Sequence, residues 1–289
     1  MRRVGKRAER VQRSGLSGLA LAAVLTLTAC GGGGIFGTRE KPIESYTAEE
    51  IYRQAELELN NGKFGDAAKN FGEVERLYPY SEWAKRALIM QAFAYHRDRD
   101  YENSRAAAQR YIDFFPADED AAYAQYLMAL SYYDQIDDVG RDQGLTFQAL
   151  QALRTVIERY PDSEYARSAI LKFDLAFDHL AAKEMEIGRY YLKGKHYSAA
   201  VNRFRVVVED FQTTTQTPEA LHRLVEAYLS LGLTDEAQTA GAILGHNFRS
   251  TQWYEESYAL LTGRGLKPEA RGDGWLASLY RQTVRGEWL

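Results

Sequence analysis

The side chains best able to do chemistry in this sequence are its five histidines, its clustered carboxylates and its single cysteine. The histidines are scattered, so no HExxH motif occurs, and no second cysteine could complete a zinc site. The acidic residues at 118–120 and 137–138 lack the register of an EF-hand and are predicted to lie in solvated loops. No GxSxG, P-loop or GxGxxG motif is present. The sequence therefore predicts no metal, no cofactor and no catalytic site.

Cys30 is the side chain with a clear chemical role. Residues 1–13 carry six Lys or Arg and one Glu, and a short apolar stretch follows them, which is typical of a secretory signal peptide over residues 1–29. The run Leu27-Thr28-Ala29-Cys30 resembles the bacterial lipobox. That resemblance implies that the thiol takes a diacylglycerol group, that the chain is cut before Cys30, and that the new amino terminus is acylated. A stray cysteine at the end of an apolar run is the alternative.

Residues 30–45 are predicted to be the lipidated cysteine and a flexible tether. Four consecutive glycines, 31–34, cannot hold a helix. Fully extended, residues 31–42 reach on the order of 40 Å. In this class of lipoprotein, a residue other than Asp after the cysteine implies delivery to the outer membrane. We therefore expect a lipid-anchored protein of a Gram-negative outer membrane that faces the periplasm.

The charge of the mature chain bears on its partners. Without residues 1–29, the chain keeps 30 basic and 39 acidic residues, a net charge of −9. Nucleic-acid binding and a cationic mode of membrane-surface binding both need an excess of Lys and Arg. The charge therefore argues against both.

A recurring pattern of small and bulky residues organises the rest of the chain. In the first copy, small Ala67 precedes bulky Phe71 by four residues, Val74 follows on the same helical face, and Pro79 ends the helix. Successive copies are spaced by 37, 45, 51 and 37 residues. The other four copies are Ser104, Ala108, Tyr111 and Pro116; Ala149, Leu153, Val156 and Pro161; Ala200, Phe204, Val207 and Gln212; and Ala237, Gly241, Leu244 and Arg249.

Another helix with an apolar face precedes each copy of the pattern. The repeating unit is therefore a pair of helices, with the pattern on its second helix, and it resembles the tetratricopeptide repeat. The predicted fold is an all-α, right-handed superhelical solenoid of about five such pairs over residues 46–262; an irregular helical bundle is the alternative. A polar loop at 136–144 and one long or additional helix at 163–193 would explain the longer spacings. Residues 263–289 form a C-terminal extension, either a poorly ordered tail, which we favour, or a short amphipathic helix.

In such a solenoid the first helix of each pair lines a groove that chooses the ligand. Aromatic and charged groups there suit a peptide, with apolar pockets for its side chains and Arg97 for a carboxylate. Ile89 and Phe93 could equally seal against the neighbouring repeat. The candidate groove residues are Tyr52, Glu56, Ile89, Phe93, His96 and Arg97.

Several runs carry a closer resemblance, to the BamD (ComL) family of lipoproteins in the outer-membrane β-barrel assembly machine. They span roughly residues 43–261 and exclude the C-terminal extension. The resemblance implies that the N-terminal repeats bind unfolded barrel proteins, notably their C-terminal strand, and that the C-terminal repeats bind the periplasmic domains of the barrel insertase and other assembly lipoproteins. The runs are Tyr78–Ser81, Arg110–Ile112, Arg141-Asp142, Tyr160–Tyr165, Glu186–Tyr191 and Asn202-Arg203.

Asn202 and Arg203 are the candidate contacts to the barrel insertase that this resemblance implies; a solvated helix position is the alternative for Arg203. Three functions compete. The first is a non-catalytic scaffold that promotes folding and insertion of barrel proteins into the outer membrane. The second is a pilotin-like lipoprotein that escorts a secretin. The third is a peptidoglycan enzyme or its activator, for which the sequence offers no catalytic residue.

Overall fold

The computed structural model describes residues 42–285. The predicted signal peptide, Cys30 and nearly all of the tether lie outside these residues, so those predictions remain predictions. Within residues 42–285, a short 3-10 helix, Ile43–Ser45, precedes twelve α-helices, and no strand is present. The helices are α1 (Ala48–Asn60), α2 (Phe64–Leu77), α3 (Glu82–Arg97), α4 (Tyr101–Phe114), α5 (Ala121–Tyr133), α6 (Gly144–Arg159), α7 (Glu164–Lys193), α8 (Tyr197–Asp210), α9 (Thr217–Leu231), α10 (Thr234–Asn247), α11 (Gln252–Thr262) and α12 (Trp275–Arg285).

Helices α1 to α10 form five consecutive pairs. Each helix packs against the next one in the chain, and the first helices α1, α3, α5, α7 and α9 also contact one another in that order. This packing is the stacking of helix pairs that a solenoid requires. The predicted all-α class with tetratricopeptide-like pairs is confirmed.

The small residues of the sequence pattern mark the closest packing in each pair. Every one of these positions has no exposed surface, because a neighbouring helix lies directly against it. The bulky residues Phe71, Leu153 and Phe204 are likewise 0% exposed. The register read from the sequence is therefore the register of the core. The five small residues are Ala67, Ser104, Ala149, Ala200 and Ala237.

Tight turns join the two helices of most pairs, and each contains one residue in the left-handed backbone region. Gly62 and Gly232 adopt φ values of 76° and 77° without a Cβ to clash. Arg99 and Lys195 occupy the equivalent turn positions with φ values of 64° and 61°, where a side chain costs about 1 kcal/mol. The third pair differs, because a polar loop joins α5 to α6, close to where the sequence predicted it.

The long spacing before the fourth copy arises from α7, which is one continuous helix of 30 residues. The middle of α7 contacts the residues just before α9, the first helix of the fifth pair. The Asp178 carboxylate accepts hydrogen bonds from the Thr215 backbone N–H at 2.8 Å, the Thr215 hydroxyl at 2.6 Å and the Gln216 amide at 3.1 Å. Asp178 of α7 thus holds the two residues that lead into α9 and fixes where that helix begins.

The C-terminal extension contains an ordered, docked helix rather than the poorly ordered tail we favoured. Leu276 of α12 is 1% exposed and joins the core of the last repeats. The Trp275 indole N–H donates to the Tyr228 hydroxyl at 3.0 Å, and the Thr239 hydroxyl donates to the Arg271 carbonyl at 2.9 Å. The structure thus agrees with the alternative that the sequence offered, a short amphipathic helix, whose apolar face packs against α10.

Asp118 is not the freely solvated carboxylate that the sequence predicted. It accepts hydrogen bonds from the Lys85 ammonium, from the Tyr111 hydroxyl at 2.6 Å and from the Asp120 backbone N–H at 3.1 Å. Burial alone would raise the pKa of Asp118, but the bonds from Lys85 and Tyr111 outweigh it and hold that pKa below its usual value. The carboxylate thus connects α3, α4 and the start of α5.

Gly188 lies at a close contact between the two helices of the fourth pair. A Cβ at this position of α7 would overlap the ring of Phe204 on α8. Overpacking of this kind costs about 1–3 kcal/mol and exceeds the gain of about 1 kcal/mol in helix propensity. We expect Gly188→Ala to lower the free energy of unfolding by about 1–2 kcal/mol in urea denaturation.

The control is the same substitution in a Phe204→Leu background, where the overlap is removed and Gly188→Ala should cost less than about 0.5 kcal/mol. Gly62→Ala should cost about 1 kcal/mol in both backgrounds, because its penalty is conformational and no atom lies near the added Cβ. Equal costs for Gly188→Ala in both backgrounds would contradict the packing.

Asp118→Asn should destabilise the fold by about 1–2 kcal/mol, because it weakens charge-assisted hydrogen bonds to Lys85 and Tyr111. Since the folded pKa of Asp118 is lowered, its contribution is complete above the unfolded value near 3.8 and is lost as pH falls through the folded value. Thermal melts of both chains between neutral and acidic pH measure this, and the difference should shrink below about pH 4. The exposed neighbour substitution Glu119→Gln is the control and should leave stability within about 0.5 kcal/mol of the original at every pH.

Candidate peptide-binding groove

The candidate groove is the solvent-side face of the first helices α1, α3 and α5 and of the start of α7. Because these helices contact one another in sequence, side chains on their outer surfaces form one continuous face, which we call the first-helix face. Arg97 is exposed there, and Phe93, Tyr123 and Tyr165 are half-buried. These four side chains carry the chemistry of the site.

Tyrosine rings pack together where α5 and α7 begin. Tyr165 lies 5.1 Å from Tyr123 and 5.4 Å from Tyr126, measured between ring centroids. Burial raises the pKa of Tyr123 to about 12 although the Arg97 cation lowers it, and burial with a hydrogen bond to Glu164 raises the pKa of Tyr165 to about 12. These phenols stay neutral at physiological pH, so they offer ring surface and hydroxyl groups and not charge.

Arg97 ends α3 beside this cluster. Its guanidinium carbon lies 4.9 Å from the ring centroid of Phe64 and 5.8 Å from that of Phe93, within the range of cation–π contacts. No ion pair joins Arg97 to any carboxylate in residues 42–285. The guanidinium is therefore positioned by aromatic rings and keeps its hydrogen-bond donors for a ligand.

Two predicted groove residues lie in the core. Tyr52 is 7% exposed, with its ring centroid 5.2 Å from that of Phe71 and 4.9 Å from that of Trp83. Ile89 is also 7% exposed and packs between the second and third repeats. This burial corrects the predicted solvent-side position of Tyr52, and for Ile89 it agrees with the alternative of sealing against the neighbouring repeat. The reason is that each first helix packs against its own partner and against the next repeat.

Glu56 and His96 occupy the edge of the region. Glu56 is half-buried, and its charge adds to burial in raising the pKa of Tyr52. The His96 side chain is 13% exposed, its Nε2 lies 3.1 Å from a carboxylate oxygen of Asp134, and its ring meets the edge of Tyr101. His96 therefore belongs to the joint between α3, α4 and the end of α5.

Asn202 and Arg203 lie on α8, in the fourth repeat, away from the first helices. Asn202 is exposed. The Arg203 guanidinium is paired with the Glu184 carboxylate of α7 at 3.0 Å, and its side chain remains 42% exposed. A partner carboxylate at this place would have to share Arg203 with Glu184.

Sequence reasoning missed several exposed apolar groups. Leu171 and Leu175 of α7 are 62% and 63% exposed, and Leu175 lines a cavity of 240 Å³ with Tyr133, Ile136 and His179. A larger cavity of 530 Å³ lies between the end of α2, the start of α3 and the end of α4, lined by residues that include Tyr80 and Phe114. Leu171 and Leu175 are four residues apart, a spacing that is equally typical of a buried helix face, so no sequence signal marks their exposure.

In the part of the chain that the structure describes, no three His, Cys, Asp or Glu side chains come together to form a metal site. No helix within residues 42–285 has the length and apolar content to cross a bilayer. The groups gathered on the first-helix face suit the binding of apolar side chains and a carboxylate.

Comparison with known proteins covers most of the chain. A family model described as YfiO, outer membrane lipoprotein, matches residues 44–243, which include α1 to α9. The outer membrane protein assembly factor BamD of Caulobacter vibrioides is 46% identical over 257 residues, covering 88% of this chain and 84% of that protein. BamD of Rickettsia prowazekii is 42% identical over 211 residues, covering 73% and 84%. BamD of Neisseria meningitidis serogroup A is 29% identical over 240 residues, covering 80% and 90%.

Proposed function

The chain belongs to the YfiO (BamD) family of outer membrane lipoproteins, and from that premise we propose that it is a non-catalytic scaffold of the outer-membrane β-barrel assembly machine. It is anchored through lipid on Cys30, faces the periplasm, and brings unfolded barrel proteins to the barrel insertase. The relatives named as outer membrane protein assembly factors support the general role. The first-helix face supports the mode of binding.

The exposure of Arg97 and its lack of ion pairs in the described part of the chain are the observations that support substrate binding. Its guanidinium is exposed, stacked on Phe64 and Phe93, and free of ion pairs within residues 42–285. A peptide that ends in an aromatic residue supplies both a ring for the tyrosine cluster and a terminal carboxylate for Arg97. The C-terminal strand of an unfolded barrel protein, the substrate that the family resemblance implies, supplies such a terminal carboxylate.

The contact with the insertase is proposed for the surface of α8. Asn202 is exposed, and Arg203 keeps two-fifths of its side chain accessible while paired with Glu184. An acidic partner surface could take a second pair of guanidinium donors without breaking the existing bond. Other assembly lipoproteins would bind elsewhere on the same repeats.

Recognition of a peptide carboxylate by Arg97 predicts that replacing this side chain lowers the affinity for the peptide. Arg97→Met keeps an unbranched apolar side chain over the rings and removes the charge, so binding of a C-terminal barrel-strand peptide should weaken about tenfold, measured by fluorescence anisotropy. The same peptide with an amidated end should bind both chains equally, because it offers no carboxylate to Arg97.

Arg86→Met is the matched control. Arg86 is also exposed on α3 and also stacks on a ring, at 5.6 Å from Trp83, but it lies about three turns, roughly 16 Å along the helix, from Arg97. Its loss should leave binding of the free-acid peptide unchanged within about twofold. An equal weakening in both variants would show that general charge, and not the Arg97 site, attracts the peptide.

The scaffold role predicts which proteins are recovered with this chain. Mass spectrometry of a pull-down from detergent-solubilised envelopes should find a barrel-insertase protein, and Arg203→Gln should reduce its recovery severalfold. Arg189→Gln is the control, since Arg189 is equally exposed at 42% and is also paired, with Glu219 at 3.0 Å. Recovery of a secretin in place of the insertase would favour the pilotin-like alternative.

A further inference from the structure

Two neighbouring hairpin tips carry the groups considered next. One is the α7–α8 turn at residues 193–196, and the other is the α9–α10 turn at residues 231–233. The net charge of the whole chain conceals the local charge at these turns.

The α7–α8 hairpin tip, in the fourth repeat, is basic. Lys193, Lys195 and His196 follow one another at the tip of the α7–α8 hairpin and are exposed. Within residues 42–285, neither lysine forms an ion pair with a carboxylate. Tyr190, one turn earlier on α7, is 74% exposed. A cation-rich tip with an exposed aromatic ring is thus available to a partner.

Lys195 is held in the left-handed backbone region with φ at 61°. The equivalent turn position of the next repeat is Gly232, which takes the same conformation without strain. Leu231 and Leu233 flank that glycine and are 39% and 42% exposed. The α7–α8 tip therefore presents lysines, and the neighbouring α9–α10 tip presents exposed leucines.

Acids at the far end of α8 do not cancel this patch. The 14 residues of α8 correspond to about 21 Å, and Asp210 lies at that far end. The Debye length at physiological ionic strength is about 8 Å, so charges across that distance are largely screened. Asp235 and Glu236, which follow Leu233, lie closer and reduce the local positive charge, so the expected attraction is modest.

We propose that the two hairpin tips bind the surface of a bilayer that contains anionic phospholipid. Lys193 and Lys195 would meet lipid phosphates, Tyr190 would lie at headgroup depth, and Leu231 and Leu233 would enter the boundary of the acyl chains. The exposed leucines favour a lipid surface over an acidic protein, because an acidic protein surface leaves them without an apolar partner. The contact is independent of substrate and insertase binding.

The length of the tether is consistent with this contact. Residues 31–42 reach at most about 40 Å from the predicted lipid anchor. A second, weak attachment at the surface adds to the anchor by raising the effective concentration of the body near the bilayer. Its measurable consequence is membrane affinity that persists when the lipid anchor is absent.

The test uses the mature-length chain, residues 30–289, with Cys30→Ser so that no acyl group is attached. In vesicle flotation, this chain should bind vesicles of phosphatidylcholine mixed with phosphatidylglycerol and should not bind pure phosphatidylcholine. Lys193→Glu combined with Lys195→Glu should weaken binding at least about tenfold. Leu231→Ser combined with Leu233→Ser should also weaken it, and circular dichroism should show both variants folded.

Lys63→Glu combined with Arg99→Glu is the matched control. It makes the same change in net charge in turns of the same kind at the other end of the array, and Arg99 shares the left-handed conformation of Lys195. This control should bind anionic vesicles within about twofold of the original. Absence of vesicle binding, or equal losses in both charge-reversed chains, would overturn the proposal. Unchanged binding in the leucine variant would overturn the proposed entry of Leu231 and Leu233 into the bilayer and leave a purely electrostatic contact.

Discussion

Close approach of neighbouring helices is the constraint on which the rest of this structure depends. Each second helix places a residue no larger than alanine or serine where the chain packs most tightly, and all five positions are completely buried. Where more room is needed, glycine occurs: a Cβ at Gly241 would lie 2.7 Å from a methyl carbon of Leu261, and one at Gly245 would lie 2.5 Å from the Tyr254 ring. Protein interiors are packed densely enough that such contacts fix the relative position of whole helices.

This packing also accounts for the roles of the buried polar groups. Asp178 of α7 holds the residues that lead into α9, and Asp118 joins three helices. The most enclosed histidine, His222, pairs through Nδ1 with the Ser257 hydroxyl at 2.9 Å, and burial lowers its pKa despite the charges of Glu226 and Glu256. Each of these groups connects elements of the fold. The groups left for ligands are on the outer surfaces of the first helices and at the turns.

Sequence periodicity predicted the parts of the fold that depend on local spacing. The small residues, the helix pairs and the long α7 follow from residues within one or two turns of each other. Periodicity did not separate groove from core on the first helices, because those helices are buried on several sides: Tyr52 and Ile89 look solvent-facing only if one neighbour is considered. Asp118 was missed for a related reason, since its partner Lys85 is 33 residues away in the chain.

The C-terminal end shows how the same constraint shapes the ends of a repeat array. The last pair of a solenoid has no following repeat to cover its apolar side, so it requires a cap. Here α11 and α12 supply it: Leu261 is 0% exposed, Leu276 is 1% exposed, and Trp275 bonds to Tyr228 of α9 while the Arg205 guanidinium of α8 lies 4.9 Å from its ring. The family model ends at residue 243, inside α10, yet the folded body continues beyond it. A partner that approaches this end therefore meets α12 and the hairpin tips, and not an open face of α10.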